Sequence, residues 1–265
     1  MKKTVLIVGG SSGIGRATAR EYLRRGDFVY NASRSPCLDT GVVNFEVNVA
    51  YPDTLAEAVA QILKERGKID VFVYSAGYSA MAPLEFSEES DSRYLFEVNY
   101  WGFVAAVKTV LPIMKQQGGG RIVAVSSLGG VLPIPFEHAY SASKAALNAF
   151  VRDLNLELRP FNIRVTGVMP GGTKTPFTKK RKTIPPEESG YYGESYARAV
   201  KKLARVEQGG MNAARVGRAI AKKAARRRPP IIFAPGLRNK LASAASRLLP
   251  YKLQSAFIRT KFGLK

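Results

Sequence analysis

We predict from the sequence an α/β fold built on a doubly wound parallel sheet. Short apolar runs near Val5, Val29, Val71, Ile122 and Val165 alternate with longer stretches of helical pattern. This alternation is typical of parallel strands that are joined by helices. A glycine-rich turn directly follows the first apolar run, and the chain of 265 residues is long enough to bury one complete core.

The first of these runs, Val5–Val8, leads through the glycine-rich turn into a stretch of helical pattern that starts at Arg16. A strand, a turn of this kind and a helix form the cradle that binds the diphosphate of a dinucleotide. In such a cradle Gly9 permits the tight turn, Gly13 lets the backbone approach the diphosphate, and Gly15 lets the helix pack closely. The phosphates then meet the free N–H groups of the helix N-terminus. We therefore predict a dinucleotide site at this turn.

A tyrosine and a lysine, Tyr140 and Lys144, are spaced to share one face of a predicted helix, and Ser127 precedes them. An ammonium group beside a phenol favours phenolate and lowers the pKa of the phenol, which suits a group that exchanges protons near neutral pH. The spacing alone is weak evidence, because Tyr-x-x-x-Lys occurs by chance in many helices. The alternative is a solvated lysine beside a half-buried tyrosine.

Several further motifs accompany this pair and follow a fixed order along the chain. The glycines fit the pattern T-G-x-x-x-G-x-G, with Val8 where threonine is usual. Tyr74–Gly77 stands where an N-N-A-G motif would follow, and it departs at both asparagines. Pro170–Thr175 fits the pattern P-G-x-x-x-T. Together with the tyrosine and lysine, these motifs resemble the classical short-chain dehydrogenase/reductase family over roughly residues 1 to 180.

The resemblance implies a Rossmann fold and a catalytic set of four residues, Asn99, Ser127, Tyr140 and Lys144. By this analogy Tyr140 protonates a nascent alkoxide, and Ser127 hydrogen-bonds the substrate oxygen. Lys144 would lower the pKa of the tyrosine and hold the nicotinamide ribose, and Asn99 would hold a water that links the lysine to solvent. The implied activity is the interconversion of a ketone and a secondary alcohol with a nicotinamide cofactor.

The end of the second predicted strand indicates which nicotinamide cofactor is used. An acidic residue there would bind the 2′-hydroxyl of NAD and repel a 2′-phosphate, but Ala32 stands in that place and Ser33 and Arg34 follow. Arg34 can bind a phosphate with two hydrogen bonds, which favours NADP(H); a solvated surface arginine is the alternative. Asn48 and Val49 take the place of the family's Asp-Val pair at the adenine. The full predicted cofactor-binding set is Gly9, Ser11, Ser12, Gly13, Ile14, Gly15, Ser33, Arg34, Asn48, Val49, Ala76, Gly77, Tyr140, Lys144, Pro170, Gly171, Thr173 and Thr175.

Residues 177–211 follow the Pro-Gly motif and are predicted to form the substrate lid, because the family covers its substrate with this part of the chain. Their basic run, Lys179–Lys182, is interpreted as a solvated and mobile loop. Tyr191, Tyr192 and Tyr196 either line an apolar pocket or pack the lid onto the domain.

Positive charge is concentrated near the end of the chain. The formal net charge is +21, and residues 208–265 hold fourteen lysines and arginines but no acidic residue. Such charge would attract nucleic acid, yet no nucleic-acid-binding motif accompanies it, so we expect no nucleic-acid partner. We predict a catalytic domain at 1–236 and a basic amphipathic tail at 237–265. We expect the tail either to lie on an anionic membrane surface or to pack on its own domain or a partner subunit. The lack of acidic residues slightly favours the membrane surface.

The substrate stays open at the level of the sequence. An apolar lipid- or steroid-like ketone is preferred because it suits an enzyme at a membrane surface, and a small-molecule alcohol dehydrogenase or ketoreductase is the alternative. A function of another class, a basic membrane- or nucleic-acid-associated binding protein with a vestigial dinucleotide fold, has no chemical need for all four catalytic residues. We expect a cytoplasmic enzyme, either free or peripheral at a membrane, with no signal peptide and no metal site. The resemblance implies a homodimer or homotetramer.

Overall fold

The computed structural model describes residues 1–264, and a parallel sheet of seven strands forms its centre. The chain contains the strands β1 (Thr4–Val8), β2 (Phe28–Ser33), β3 (Val42–Glu46), β4 (Val71–Tyr74), β5 (Ala80–Met81), β6 (Gly120–Val125), β7 (Ile163–Val168), β8 (Thr173–Lys174), β9 (Lys182–Thr183), β10 (Met211–Asn212) and β11 (Ile232–Phe233). The order in the central sheet is β11-β7-β6-β4-β1-β2-β3, and β5 pairs with β9 and β8 with β10 outside it. This order is that of a doubly wound sheet, so the predicted fold class is confirmed.

Helices cover both faces of the sheet. They are α1 (Gly13–Arg24), α2 (Pro52–Arg66), α3 (Glu89–Phe96), α4 (Gly102–Gln116), α5 (His138–Leu158), α6 (Phe177–Lys180), α7 (Gly193–Gln208), α8 (Ala213–Ala224), α9 (Leu237–Leu248) and α10 (Tyr251–Phe262). A π-helical segment of five residues, Glu97–Trp101, joins α3 to α4. Among the residues described, no helix combines the length and the apolar character needed to cross a bilayer.

All five side chains of β1 are buried, as is typical of a strand at the centre of a parallel sheet. It pairs in parallel with β2 and β4, and this register places Val5 opposite both Val29 and Val71. Strands are present at each of the five predicted positions. The sequence prediction lacks β3, because this edge strand is half exposed and has no continuous apolar run.

Alternate residues of the central strands build two separate cores, since successive side chains point to opposite faces. Leu6 belongs to the core that α2, α4 and α5 cover. Ile7 belongs to the core on the other face, where α1 and α8 supply residues such as Val216 and Ile220. Both helix layers therefore hold the strand ends in fixed positions, and the predicted site residues follow those ends.

A third apolar cluster joins the lid to the tail. Ile258 and Phe262 of α10 pack with Tyr196 and Leu203 of α7 and with Met81 of β5. Because β5 follows β4 in the chain, this cluster lies beside the carboxyl end of a central strand. The tail helices therefore contact the part of the molecule that is predicted to cover the substrate.

Candidate active site

The glycine-rich turn after β1 accommodates glycine and little else. Gly9 has a φ of +81° and Gly13 a φ of +55°, a region that side chains other than glycine rarely adopt. A Cβ atom at Gly9 would lie 2.5 Å from the amide nitrogen of Ala76, and one at Gly15 would lie 2.1 Å from the carbonyl oxygen of Gly9. The turn thus folds tightly at the N-terminus of α1, where free N–H groups can meet a diphosphate. These residues fit a dinucleotide cofactor.

The predicted Pro-Gly motif lies against this turn and against the loop that carries Ser127, the predicted catalytic serine. A Cβ atom at Gly13 would be 3.4 Å from the Cβ of Thr175. The amide of Leu128, next to Ser127, donates a hydrogen bond of 2.9 Å to the carbonyl oxygen of Pro170. The hydroxyl of Thr173 donates to the carbonyl oxygen of Gly171 at 2.9 Å and stabilises the loop. The structure therefore brings two predicted cofactor segments and the loop of Ser127 together.

At the end of β2, the predicted phosphate-binding residues differ in how free their side chains are. The hydroxyl of Ser33 donates to Oδ1 of Asn31 at 2.7 Å. Arg34 is exposed, and its Nη1 lies 3.3 Å from the phenol oxygen of Tyr94. The Oδ1 of Asn48 accepts a hydrogen bond of 3.2 Å from the amide of Ala50, and its second lone pair can accept another donor. Arg34 is thus the most accessible of the predicted phosphate ligands.

Two arginines of α1 that the sequence leaves unassigned lie on the cofactor side as well. Arg16 and Arg20 both bind the carboxylate of Asp39, each with two hydrogen bonds of 2.8 to 2.9 Å. The hydrogen bond from Arg16, followed by that from Arg20, holds the pKa of Asp39 well below its usual range. Arg16 and Arg20 also line a cavity of about 380 Å³ that reaches Ser12 and Gly13.

Two predicted catalytic residues, Asn99 and Lys144, meet at Gly77, and the other two lie on α5 and after β6. A Cβ atom at Gly77 would lie 3.5 Å from Oδ1 of Asn99 and 3.8 Å from Nζ of Lys144. Lys144 and Tyr140 are both buried on α5, with the ammonium 5.8 Å from the centre of the phenol ring. Ser127 follows β6, and its hydroxyl oxygen accepts a hydrogen bond of 3.0 Å from the amide of Gly129. Helix α5 and the carboxyl ends of β4 and β6 therefore assemble the predicted set.

Burial shifts the proton affinities of the tyrosine and the lysine in opposite directions. Desolvation, strengthened by the charge of Glu137, raises the pKa of Tyr140, and a hydrogen bond with Ser127 opposes this rise. Desolvation lowers the pKa of Lys144 to about 8, and its Nζ donates to the carbonyl oxygen of Val125 at 3.1 Å. In the chain itself desolvation outweighs the other influences on the phenol, and the predicted lowering of the Tyr140 pKa by Lys144 stays a prediction.

Asn99 lies in the π-helical segment, a kind of helix distortion that is frequent at functional sites. Its Oδ1 accepts from the amide of Tyr78 at 2.9 Å, and its Nδ2 donates to the Tyr78 carbonyl at 3.0 Å and to Oγ of Ser143 at 3.1 Å. The buried phenol of Tyr74, which replaces an asparagine of the family motif, donates to the carbonyl oxygen of Val98 at 2.6 Å. The Asn99 side chain thus fixes the loop after β4 to α5.

A buried ion-pair network connects the predicted lid to α5, the helix that carries Tyr140 and Lys144. Nε of Arg181 donates to Glu137 at 2.6 Å and to the hydroxyl of Ser79 at 3.2 Å, and Nη2 donates to Glu207. Only 3% of the Arg181 side chain and 1% of the Glu137 side chain are exposed. Glu137 is the residue directly before α5, so the network holds the start of the helix that carries Tyr140.

The basic run of the lid is therefore not the solvated, mobile loop that the sequence predicts. Arg181 is buried, and Lys182 forms an ion pair of 2.7 Å with Asp91. Only Lys179 and Lys180 of this run are exposed and outside the ion pairs of the described chain. Sequence spacing gives no sign of the Arg181 network, because each of its partners lies far away in the chain.

The predicted lid packs over Tyr140, the predicted catalytic tyrosine. The ring of Phe177 lies 6.0 Å from the ring of Tyr140. Tyr196 is buried and donates to the carbonyl oxygen of Met81 at 2.6 Å. The rings of Tyr192 and Tyr196 contact Phe136, which has an uncommon φ of +65° directly before Glu137. These two tyrosines pack the lid onto the domain, whereas Tyr191 is fully exposed.

A cavity of about 360 Å³ lies between the predicted lid and the loop after β4. Apolar residues of both segments line it, and it reaches His138 and Ala139, directly before Tyr140 in the chain. Its other lining residues include Met81, Ala82, Glu85, Phe86, Glu88, Asp91, Lys182, Ile184 and Glu188. Within residues 1–264, no group of three or more metal-binding side chains is found.

Comparison with known proteins gives matches over nearly the whole chain. The family model described as short chain dehydrogenase matches residues 3–185. A 3-ketodihydrosphingosine reductase of Bacteroides thetaiotaomicron is 34% identical, with 98% of each chain covered. Retinol dehydrogenase 8 of Bos taurus is 32% identical and covers 86% of this chain and 80% of its own. The crystal structure of a short-chain dehydrogenase from Streptomyces avermitilis has a TM-score of 0.81 at 30% identity, with 97% and 99% covered.

The ordered motifs, the parallel sheet and these matches agree with one another. The glycine turn and the predicted Tyr140 and Lys144 pair occupy the positions that the family motifs imply. The chain therefore belongs to the short-chain dehydrogenase/reductase family, and it is an oxidoreductase that uses a nicotinamide dinucleotide to act on a carbonyl or alcohol group of a small molecule.

Proposed function

We propose that the protein reduces a long-chain lipid ketone to a secondary alcohol with NADPH, and that Tyr140 donates the proton. The observation that carries this proposal is the buried phenol of Tyr140, whose pKa is raised above its ordinary value. Such a phenol stays protonated at neutral pH and is ready to donate to an alkoxide. The burial of Tyr140 therefore supports its role as proton donor, and the similarity to a ketone reductase supports the direction of reduction.

The neighbouring residues support the same role for Tyr140. Ser127 would donate a hydrogen bond to the substrate oxygen and stabilise the charge that develops there. Lys144, with a pKa of about 8, keeps a positive charge near the phenol at neutral pH. Asn99 holds the loop that contains Gly77 against Lys144. When bound, the dinucleotide would supply the hydride for the carbonyl carbon.

The preference for NADP(H) is part of the proposal, and Arg34 is its main support. Arg34 is exposed at the end of β2, where no acidic residue occupies the place of Ala32 or Ser33. A guanidinium in this position can bind the 2′-phosphate with two hydrogen bonds. Arg16 and Arg20 add positive charge nearby, although Asp39 partly neutralises them.

The proposed substrate class is a ketone of the sphingoid-base type, which has a long alkyl chain and an ammonium group near the carbonyl. The similarity to a 3-ketodihydrosphingosine reductase supports this choice. Apolar residues of the lid-side cavity suit an alkyl chain. Glu85, Glu88 and Glu188 add carboxylates to the lining of the cavity, and they suit a positively charged group. A ketosteroid lacks that charge.

A substrate panel tests the proposed function. NADPH oxidation is followed with 3-ketodihydrosphingosine, its N-acetylated form, a 3-ketosteroid and a short aliphatic ketone. We expect the amino ketone to have the highest kcat/KM, with roughly a tenfold loss on N-acetylation because the charge disappears. Equal turnover of the short ketone would contradict a lipid substrate, and equal turnover of the N-acetylated form would contradict recognition of the charge.

The Tyr140→Phe substitution tests the proposed acid. We expect kcat to fall by roughly 1,000-fold while NADPH binding is kept, because general acid catalysis contributes 10²–10⁴. Binding is measured by the fluorescence of NADPH. Tyr22→Phe is the matched control, since Tyr22 is also buried but lies in the core beside α8. Wild-type turnover of the Tyr140→Phe variant would rule out the assignment.

Assembly and location belong to the proposal as well. Trp101 and Leu156, at the central helices, are 52% and 66% exposed, which supports burial in a homodimer or homotetramer. We propose a cytoplasmic enzyme that works at a membrane surface, where a long-chain ketone would be found.

A further inference from the structure

Helix α9 turns its apolar residues away from the domain. Leu237, Leu241 and Leu248 share one face of the helix by their spacing, and they are 73%, 62% and 81% exposed. The opposite face meets the domain with small polar residues, among them Ser243 and Asn239. A surface helix normally does the reverse and buries its leucines. The fold of this chain alone therefore does not explain the leucines of α9.

Helix α10 repeats this arrangement beyond a sharp corner at Pro250. Its inward residues, Ile258 and Phe262, are buried against the lid, whereas Leu253 and Phe257 on the far side are 57% and 64% exposed. The side chain of Gln254 donates to two carbonyl oxygens of α9 and its end and holds the corner together. We define the leucine face as the outward apolar residues of both helices: Leu237, Leu241, Leu248, Leu249, Leu253 and Phe257.

Basic side chains border the leucine face on both sides. At about 100° per residue, Arg238 lies on one side of the α9 leucines and Arg247 on the other. By the same geometry, Arg259 and Lys261 lie on either side of the exposed residues of α10. Residues 208–265 contain no acidic residue that could neutralise this border. An apolar stripe between two basic stripes is the pattern of a helix that lies in the surface of an anionic bilayer.

We propose that the leucine face docks on a bilayer that contains anionic lipids. The leucines would enter the boundary between headgroups and acyl chains, and the arginines and lysines would meet the lipid phosphates. A second copy of the chain is a poorer occupant, because two faces bordered only by positive charge repel each other. Nucleic acid would bind the charge but would leave the leucines in water.

The docking surface lies directly above the lid. The inward face of α10 packs on α7 through Ile258 and Phe262 with Tyr196 and Leu203, and the guanidinium of Arg198 donates to the carbonyl oxygen of Gly263 at 3.3 Å. A bilayer on the outer face would therefore lie one helix layer from the lid. If the proposed function holds, on which this step rests, a lipid ketone passes from the bilayer to the cavity under the lid without crossing bulk water.

Vesicle sedimentation with point variants tests the docking surface. We expect the intact protein to sediment with vesicles of phosphatidylglycerol and phosphatidylcholine, and to do so far less with pure phosphatidylcholine. Leu248→Glu should weaken binding to the anionic vesicles at least about tenfold, because it places a negative charge in the leucine face. The control is Leu38→Glu, since Leu38 is 79% exposed and lies between β2 and β3. This variant should bind like the unaltered protein.

A second pair of variants tests the basic border. Arg238→Gln with Arg247→Gln should weaken binding and reduce its dependence on salt. Arg226→Gln with Arg228→Gln removes the same charge outside the tail helices and should change binding less. Equal binding by the Leu248→Glu and Leu38→Glu variants would overturn the proposal. So would a change from oligomer to monomer in Leu248→Glu, seen by analytical ultracentrifugation, with vesicle binding unchanged.

Turnover measurements separate this proposal from the proposed function. With ketone dispersed in detergent, Leu248→Glu should keep the wild-type rate, whereas with ketone in anionic vesicles its rate should fall with its binding. Vesicle binding without turnover of any ketone would contradict the proposed function and leave the docking surface intact. Turnover of dispersed ketone without vesicle binding would contradict the docking surface and leave the proposed function intact.

Discussion

The cofactor side and the lid side of this protein are stabilised in different ways. On the cofactor side, a turn of four residues joins β1 to α1, and the close contacts at Gly9 and Gly15 involve backbone atoms. On the lid side, Arg181 reaches partners that are 102, 44 and 26 positions away in the sequence. The cofactor side depends on local backbone shape, and the lid side depends on side chains that only the folded chain brings together.

This difference explains why the two sides tolerate change differently. A cofactor site made of backbone groups is lost mainly when the backbone is forced to move. The lid is held by a guanidinium between two carboxylates, of which Glu137 is almost completely buried. Removing one member of such a network leaves an uncompensated charge in the interior. Substitutions on the lid side should therefore act first on stability and on the position of α5.

The largest expected effect that separates the two sides comes from Arg181→Ala. We expect the free energy of unfolding to fall by about 3 kcal/mol, because Glu137 would stay buried without its ion-pair partner. The KM for the ketone should rise as well, since the lid loses its attachment to α5. Chemical denaturation and steady-state kinetics measure the two effects.

The control is Arg93→Ala, which breaks the ion pair with Glu89. Both of these side chains are more than three-quarters exposed, and a pair of this kind contributes about 0.5 kcal/mol or less. Equal losses for the two variants would mean that the Arg181 network does not hold the lid side. Recovery of stability in a double variant, Arg181→Met with Glu137→Gln, would show that the unpaired charge causes the loss.

A smaller effect is expected on the cofactor side from Arg34→Ala. Loss of charge-assisted hydrogen bonds to a 2′-phosphate should lower kcat/KM for NADPH by roughly 10- to 100-fold and leave NADH almost unchanged. Thermal stability should hardly change, because Arg34 is exposed. Arg20→Gln is the control, since Asp39 already binds that arginine. An equal loss with both cofactors would contradict the assignment of Arg34 to the 2′-phosphate.

The smallest effect is a pH dependence where the two sides meet, at Lys144. Because burial lowers its pKa to about 8, the ammonium form is present below that pH and is lost as the pH rises through it. The rate of reduction should therefore be level from pH 6 to 7.5 and fall above pH 8, by up to about tenfold per unit. Tyr140 should add no step in this range, because its pKa is raised. A rate that increases through pH 8 would contradict this assignment.

The sequence predicts the cofactor side well because its signals are local. Strand, glycine turn and helix lie within Thr4–Arg24, and the structure has them in that order. The meeting of Asn99 and Lys144 at Gly77 agrees with the motifs of the family, although their exact roles stay predictions. Sequence spacing contains no information on desolvation, and for this reason the rise in the pKa of Tyr140 that burial causes could not be predicted.

The lid and the tail are less predictable for a related reason. Whether Arg181 is solvated depends on Glu137 and Glu207, and no local pattern joins them to it. The spacing of the leucines in α9 predicts an amphipathic helix but not the side that faces the domain. The sequence signal that could have helped is Glu137, an acidic residue directly before a helix whose first two turns carry the predicted catalytic pair.

The contact between α9 and the Pro-Gly motif has a consequence for how this sequence can diverge. A Cβ atom at Gly171 would lie 2.4 Å from Oδ1 of Asn239. The side chain of Asn239 is itself fixed, because its Nδ2 donates a hydrogen bond of 2.8 Å to the carbonyl oxygen of Pro235. Positions 171 and 239 are therefore expected to covary in relatives that have a helix here. A side chain at 171 becomes permissible only after 239 has become smaller, which makes the order of the two substitutions matter.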